Sequence, residues 1–147
     1  MERSAGRWTA LVAAATALTV SCGLAASVYA ADISVNELAG RWISKAGTSL
    51  TFHKDHTFTS EHFTASDCGD LATPESGTWA FYAFTGSHER GTPDDAAMRG
   101  SVLSLASVAS SCTVTVYLFG DEDNPVMCPT GDADAGCPSD EYLRRSG

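Results

Sequence analysis

Residues 52–58 read FHKDHTF, with His62 a little further along the chain. Imidazole is the commonest transition-metal ligand, so the first chemistry to weigh is a chelate built from His53, His56 and His62. Phe52 and Phe58 are the two large apolar residues of a hairpin and belong on one core, so they should pair across it. That register leaves Lys54, Asp55 and His56 as a three-residue loop, a type that closes with a residue in the left-handed region, normally glycine. His56 takes that position, which histidine tolerates better than bulkier residues do. His53 then lies on the outer face, His56 at the turn tip, and His62, which has the parity of Phe58, faces inward unless a bulge intervenes. Three imidazoles pointing three ways hold no metal, and the stretch reads as a solvated turn.

The other constellations are acidic. GDADAGCPSDE at 131–141 sets Asp132, Asp134, Asp140 and Glu141 around Gly136, loosely like the alternating oxygens of a calcium loop. Ala135 and Tyr142 stand where that pattern wants acids, and a disulfide-closed acidic turn accounts for the same residues. GDEDNP at 120–125 reads as a solvated hairpin loop whose charges discourage edge pairing. The loop at 86–100, with His88, Glu89, Arg90, Asp94, Asp95 and Arg99, is long enough to carry function and specifies no chemistry. No G-x-S-x-G, H-E-x-x-H or phosphate-cradling glycine loop occurs. Carboxylates in turns keep near-ordinary pKa values and are poor acids or bases at neutral pH. The expectation is a non-enzymatic chain with no catalytic residue, cofactor or metal.

The elements that must position these residues follow from periodicity. Across 37–146 apolar residues recur at a period of two, and turn residues interrupt them every eight to fifteen positions. This predicts an all-β antiparallel fold, a small meander barrel or sandwich of about eight short strands. The strands are expected at 38–44, 49–53, 57–63, 77–84, 101–107, 113–119, 125–128 and 141–145. No amphipathic helix is evident, and DDAAM at 94–98 suffices for one turn. Gly40-Arg41-Trp42 and Gly77-Thr78-Trp79 echo each other, each glycine preceding a tryptophan that points inward and letting a neighbour approach closely.

The N-terminal 30 residues stand apart. Arg3 and Arg7 precede an uncharged stretch, 8–30, that is a secretory signal cut after Ala30, a lipoprotein signal or a retained anchor. Leu18-Thr19-Val20-Ser21-Cys22-Gly23 resembles the lipobox of bacterial lipoproteins, which would make Cys22 the lipidated residue. All three readings put 31–147 outside the cytoplasm, secreted or held at the outer face of the cytoplasmic membrane. Without Cys22 four cysteines remain in an oxidising space, which predicts two disulfides, Cys128–Cys137 and Cys68–Cys112. Removing Glu2, Arg3 and Arg7 from 18 acids and 9 bases leaves 17 and 7, a net charge of −10 that excludes a nucleic-acid partner.

ELAGRWIS, SLTFHKDHTF, SGTW and GDADAG followed by EYLRR resemble small secreted or lipoprotein-type all-β proteins of unknown function from GC-rich Gram-positive bacteria. That likeness implies fold and compartment and brings no catalytic residue. Gly40-Arg41-Trp42 is also similar to the G-x-W of lipocalins, ligand-binding barrels. It implies binding of a small, apolar ligand in or at the mouth of a barrel, lined by residues such as Trp42, Phe58, Trp79, Leu103, Val114 and Val116. The alternative is a filled barrel that meets another envelope protein through its acidic surface.

Overall fold

The computed structural model describes residues 30–65, 69–71, 75–84, 91–108 and 112–147. The N-terminal segment with Cys22, expected to direct export, Cys68, and residues 85–90 of the long loop lie outside them. Along the chain come β1 (Ile33–Ser34), α1 (Val35–Leu38), β2 (Gly40–Ile43), β3 (Ser49–Phe52), β4 (Thr57–Glu61), β5 (Phe63–Ala65) and β6 (Gly69–Leu71). They are followed by β7 (Glu75–Ala83), β8 (Thr92–Asp94), β9 (Arg99–Gly100), β10 (Val102–Ser107), β11 (Thr113–Phe119), β12 (Val126–Pro129) and β13 (Leu143–Arg145).

Eight of these strands close a barrel: β2, β3, β4, β7, β10, β11, β12 and β13, each antiparallel to the next in chain order. The seam is β13 against β2, through Arg144 with Ile43 and Arg145 with Trp42. Barrel rather than sandwich is therefore the architecture, and the meander contains all eight expected strands. β8 takes the edge of β7 beyond the reach of β4, while β5–β6 and β1–β9 form two small accessory pairs.

Alternation places the core. Trp42, Leu50, Phe52, Phe58, Trp79, Phe81, Leu103, Leu105, Val116, Leu118, Met127 and Leu143 point inward and form one buried cluster. Each such side chain contributes about 1.5–3 kcal/mol by leaving water. Phe52 pairs with Phe58 as the hairpin register requires, and His56 has φ 64°. Asp55 Oδ1 closes that turn, accepting from Thr57 N at 3.1 Å and Thr57 Oγ1 at 2.6 Å. Gly77 is the close approach: a Cβ there would collide with the carbonyl oxygen of Ala106 and the ring of Phe58.

Two expectations are corrected. His62 does not face inward: its φ of 51° breaks the strand between β4 and β5, reverses the alternation and leaves it exposed. No helix was expected, yet a short one lies at Val35–Leu38; at 94–98 there is the single turn expected, in which Ala97 N donates to Asp94 O. A capping box starts α1: Glu37 N donates to Ser34 Oγ, and Ser34 N donates to Glu37 Oε2.

Candidate functional site

A barrel offers its interior, its two ends and its outer wall. The interior belongs to the protein's own side chains. Of the six residues expected to line a cavity, Trp42, Phe58, Trp79, Leu103 and Val116 are all buried members of the core cluster, and Val114 packs against it. The rings interlock, with Trp79 edge-on to Phe81 at 5.4 Å and to Phe52 at 6.1 Å. Both indoles spend their N–H on the backbone: Trp42 Nε1 donates to Leu38 O at 2.8 Å, and Trp79 Nε1 to His53 O at 3.0 Å. His56 stacks on Trp79 with centroids 4.4 Å apart, a contact that a glycine at this positive-φ position could not make.

The end of the barrel where β2 begins is stoppered by the segment preceding it. Ala31 N donates to Leu118 O, β1 pairs with β9, Val35 N donates to Met98 O, and Ala31, Ile33, Val35 and Leu38 join the core. Arg99 fastens the outside of this stopper, its Nε 2.6 Å from Asp32 Oδ1 and its Nη2 3.9 Å from Glu122. The pairing with Asp32 raises the Arg99 pKa further. Sequence reasoning missed this stopper, although Ser34-Val35-Asn36-Glu37 spells its capping box.

At the opposite end a hollow of about 230 Å³ lies among Ala46, Thr48, His62, Phe63, Pro129, Glu141 and Leu143. Thr48 Oγ1 donates to His62 O at 3.0 Å, which holds the strained corner in place. Ser60 Oγ, on β4, does not line this hollow and is buried without a hydrogen-bond partner. A second hollow, beside the stopper, is lined by Glu37, Glu122, Asp123, Asn124, Pro125, Arg144 and Arg145. Neither is lined by any of the six residues expected to bind a ligand.

The outer wall is uneven. Cys128 and Cys137 are disulfide-bonded with Cα atoms 5.8 Å apart, and Cys112 is also disulfide-bonded, its expected partner Cys68 lying outside the described residues. The staple folds the 130–142 loop over β11 and β12: Cys128 is buried, and Tyr142 meets Phe119 edge-on at 6.4 Å. The loop is thus a disulfide-closed acidic turn, with Gly136 at φ 63° beneath the Tyr142 hydroxyl. Among the described residues no group of His, Cys, Asp and Glu is placed to hold a metal ion. On the β7–β10–β11 side a groove of about 420 Å³ remains open, lined by Tyr82, Phe84, Gly91, Val102, Thr115 and Tyr117. The signal for this groove lay in TWAFYAF at 78–84, whose aromatic residues fall on both faces of one strand.

No family of known proteins, curated protein or solved structure matches the chain.

Proposed function

We propose that the chain is a non-enzymatic binding module of the extracytoplasmic space in which the barrel is a scaffold and the partner is met on the outside. One observation carries this reading: the inward side chains of the eight strands and of the 31–38 stopper form a single packed cluster. Apolar residues interlocked at these ring distances leave no room for a second apolar molecule without repacking. The Cys128–Cys137 bond and the bonded Cys112 support an oxidising compartment.

Native mass spectrometry of the protein purified from its own host tests the reading. The expected result is a bare protein mass, light by two hydrogens per disulfide; a retained small molecule displaced only on denaturation would overturn it. Ser60 favours a second reading, in which the hollow beside Thr48 and His62 admits a small polar molecule to the buried hydroxyl. In that case Ser60→Ala would abolish the retained mass.

A further inference from the structure

We infer that the open groove on the β7–β10–β11 wall binds a neutral saccharide chain; this rests on the outer-wall reading above and names the partner's chemistry. None of the six lining residues is charged, in a chain of formal net charge −9. Nucleic acids and anionic lipids gain nothing there, because no cation meets them. A cationic partner would be drawn to the acidic loops instead.

The groove has the two kinds of surface that a sugar ring has. Two of its aromatic rings lie side by side, Tyr82 and Phe84 inclined by 28° with centroids 6.5 Å apart, and the third, Tyr117, is backed by the covered ring of Phe119 at 6.1 Å. Phe84 is 56% exposed yet firmly backed, because its ring lies against Gly91, where a Cβ would overlap Phe84 Cε1 at 2.6 Å. One face is therefore held by the protein and the other is free. The hydroxyls of Tyr82, Thr115 and Tyr117 accompany these rings, and none makes a hydrogen bond within the described structure. A wholly apolar ligand would bury those hydroxyls unpaired. A chain with C–H faces and hydroxyl edges satisfies both surfaces at once.

The test titrates the purified full-length protein with neutral oligosaccharides, glucose and N-acetylglucosamine oligomers among them, and with a proline-rich peptide, by calorimetry. Saturable binding of a saccharide is expected, weakened about tenfold by Phe84→Ala and by Tyr117→Ala, a change of about 1.4 kcal/mol. Tyr117→Phe, which keeps the ring and removes the hydroxyl, should weaken it by a smaller factor, and Met98→Ala, outside the groove, should leave it unchanged. No saccharide binding, or binding indifferent to both alanine variants, overturns the proposal. Peptide binding lost in Phe84→Ala overturns the saccharide and leaves the outer-wall reading standing. A retained small molecule in the native mass together with no binding in the groove overturns both.

Discussion

One row of residues crosses four neighbouring strands on the outer wall: Tyr82 and Val102, in register beyond the Phe81–Leu103 pair, then Tyr117 and Cys128. The two halves of that row meet different fates. At the β11–β12 side the stapled loop covers it, burying Cys128 completely and, through Tyr142, leaving Phe119 only 7% exposed. At the β7–β10 side no described element crosses it, and Tyr82, Val102 and Tyr117 stay half-buried while Phe84 is exposed. Strand propensity alone would put aromatic residues on either half, since both are ordinary antiparallel ladder. The difference is that one half spends a disulfide and a dozen residues on cover and the other does not. Aromatic surface that a fold leaves uncovered beside surface it covers is where a partner is best sought.

Replacing the covered ring separates the halves most sharply. Phe119→Ala should lose about 3 kcal/mol in urea unfolding, the cost of emptying a buried aromatic site, whereas Phe84→Ala should change stability by less than about 0.5 kcal/mol. Similar losses at both sites would mean that Phe84 is covered after all. Next in size is the staple: Cys128→Ala with Cys137→Ala should cost about 2–3 kcal/mol for a loop of this length. Amide exchange in β11 and β12 should then rise while that in β7 and β10 stays as it was, and uniform exchange would show that the loop does not act locally.

A smaller effect concerns the end of the barrel where β2 begins, which holds both α1 and the Asp55 turn. The Glu37 carboxyl is held below its ordinary range by the hydrogen bonds of the Ser34 backbone and hydroxyl, and that of Asp55 by the Thr57 hydroxyl and backbone. A carboxyl with a lowered folded pKa contributes stability that is complete above its unfolded pKa and is lost as pH falls through the folded value. Urea midpoints should therefore decline below the usual carboxylate range, and Glu37→Gln should flatten the decline; an unchanged slope would remove the capping box from the account. The smallest effect expected is at Ser60. With no hydrogen bond to lose, Ser60→Ala should be neutral or slightly stabilising by the same assay, and a marked loss would reveal a partner at that hydroxyl.

Much of the barrel is legible in the sequence because alternation and turn chemistry are local. Pairing Phe52 with Phe58 sets the hairpin and puts His56 at positive φ with no knowledge of the rest. The tryptophans after Gly40 and Gly77 point inward for the same reason. His62 was misread because parity carries across a bulge that no residue announces: Glu61-His62-Phe63 holds no glycine to mark the break. Five core residues and Val114 read as inward-facing from their parity, but whether a barrel is filled depends on the meeting of all eight strands with 31–38, which no local pattern encodes. Tyr82, Phe84 and Tyr117 escaped notice for a related reason, since covered and open outward positions differ only in what a distant loop does.

The seam of the barrel carries a consequence for the timing of folding. Arg145 Nη2 donates to Ala39 O across 106 residues, and Ser146 Oγ to Arg41 O across 105, so the first and last barrel strands are neighbours only at the end. A polypeptide delivered N-terminus first holds β2 with one edge bare until β13 arrives. Closure so non-local belongs to the slow class of small domains, on the order of milliseconds to seconds. Throughout that interval the bare edge can pair with any other extended chain. β13 thus acts as a latch whose loss, by truncation or a nick, would leave an assembled but open sheet with a strong tendency to self-associate.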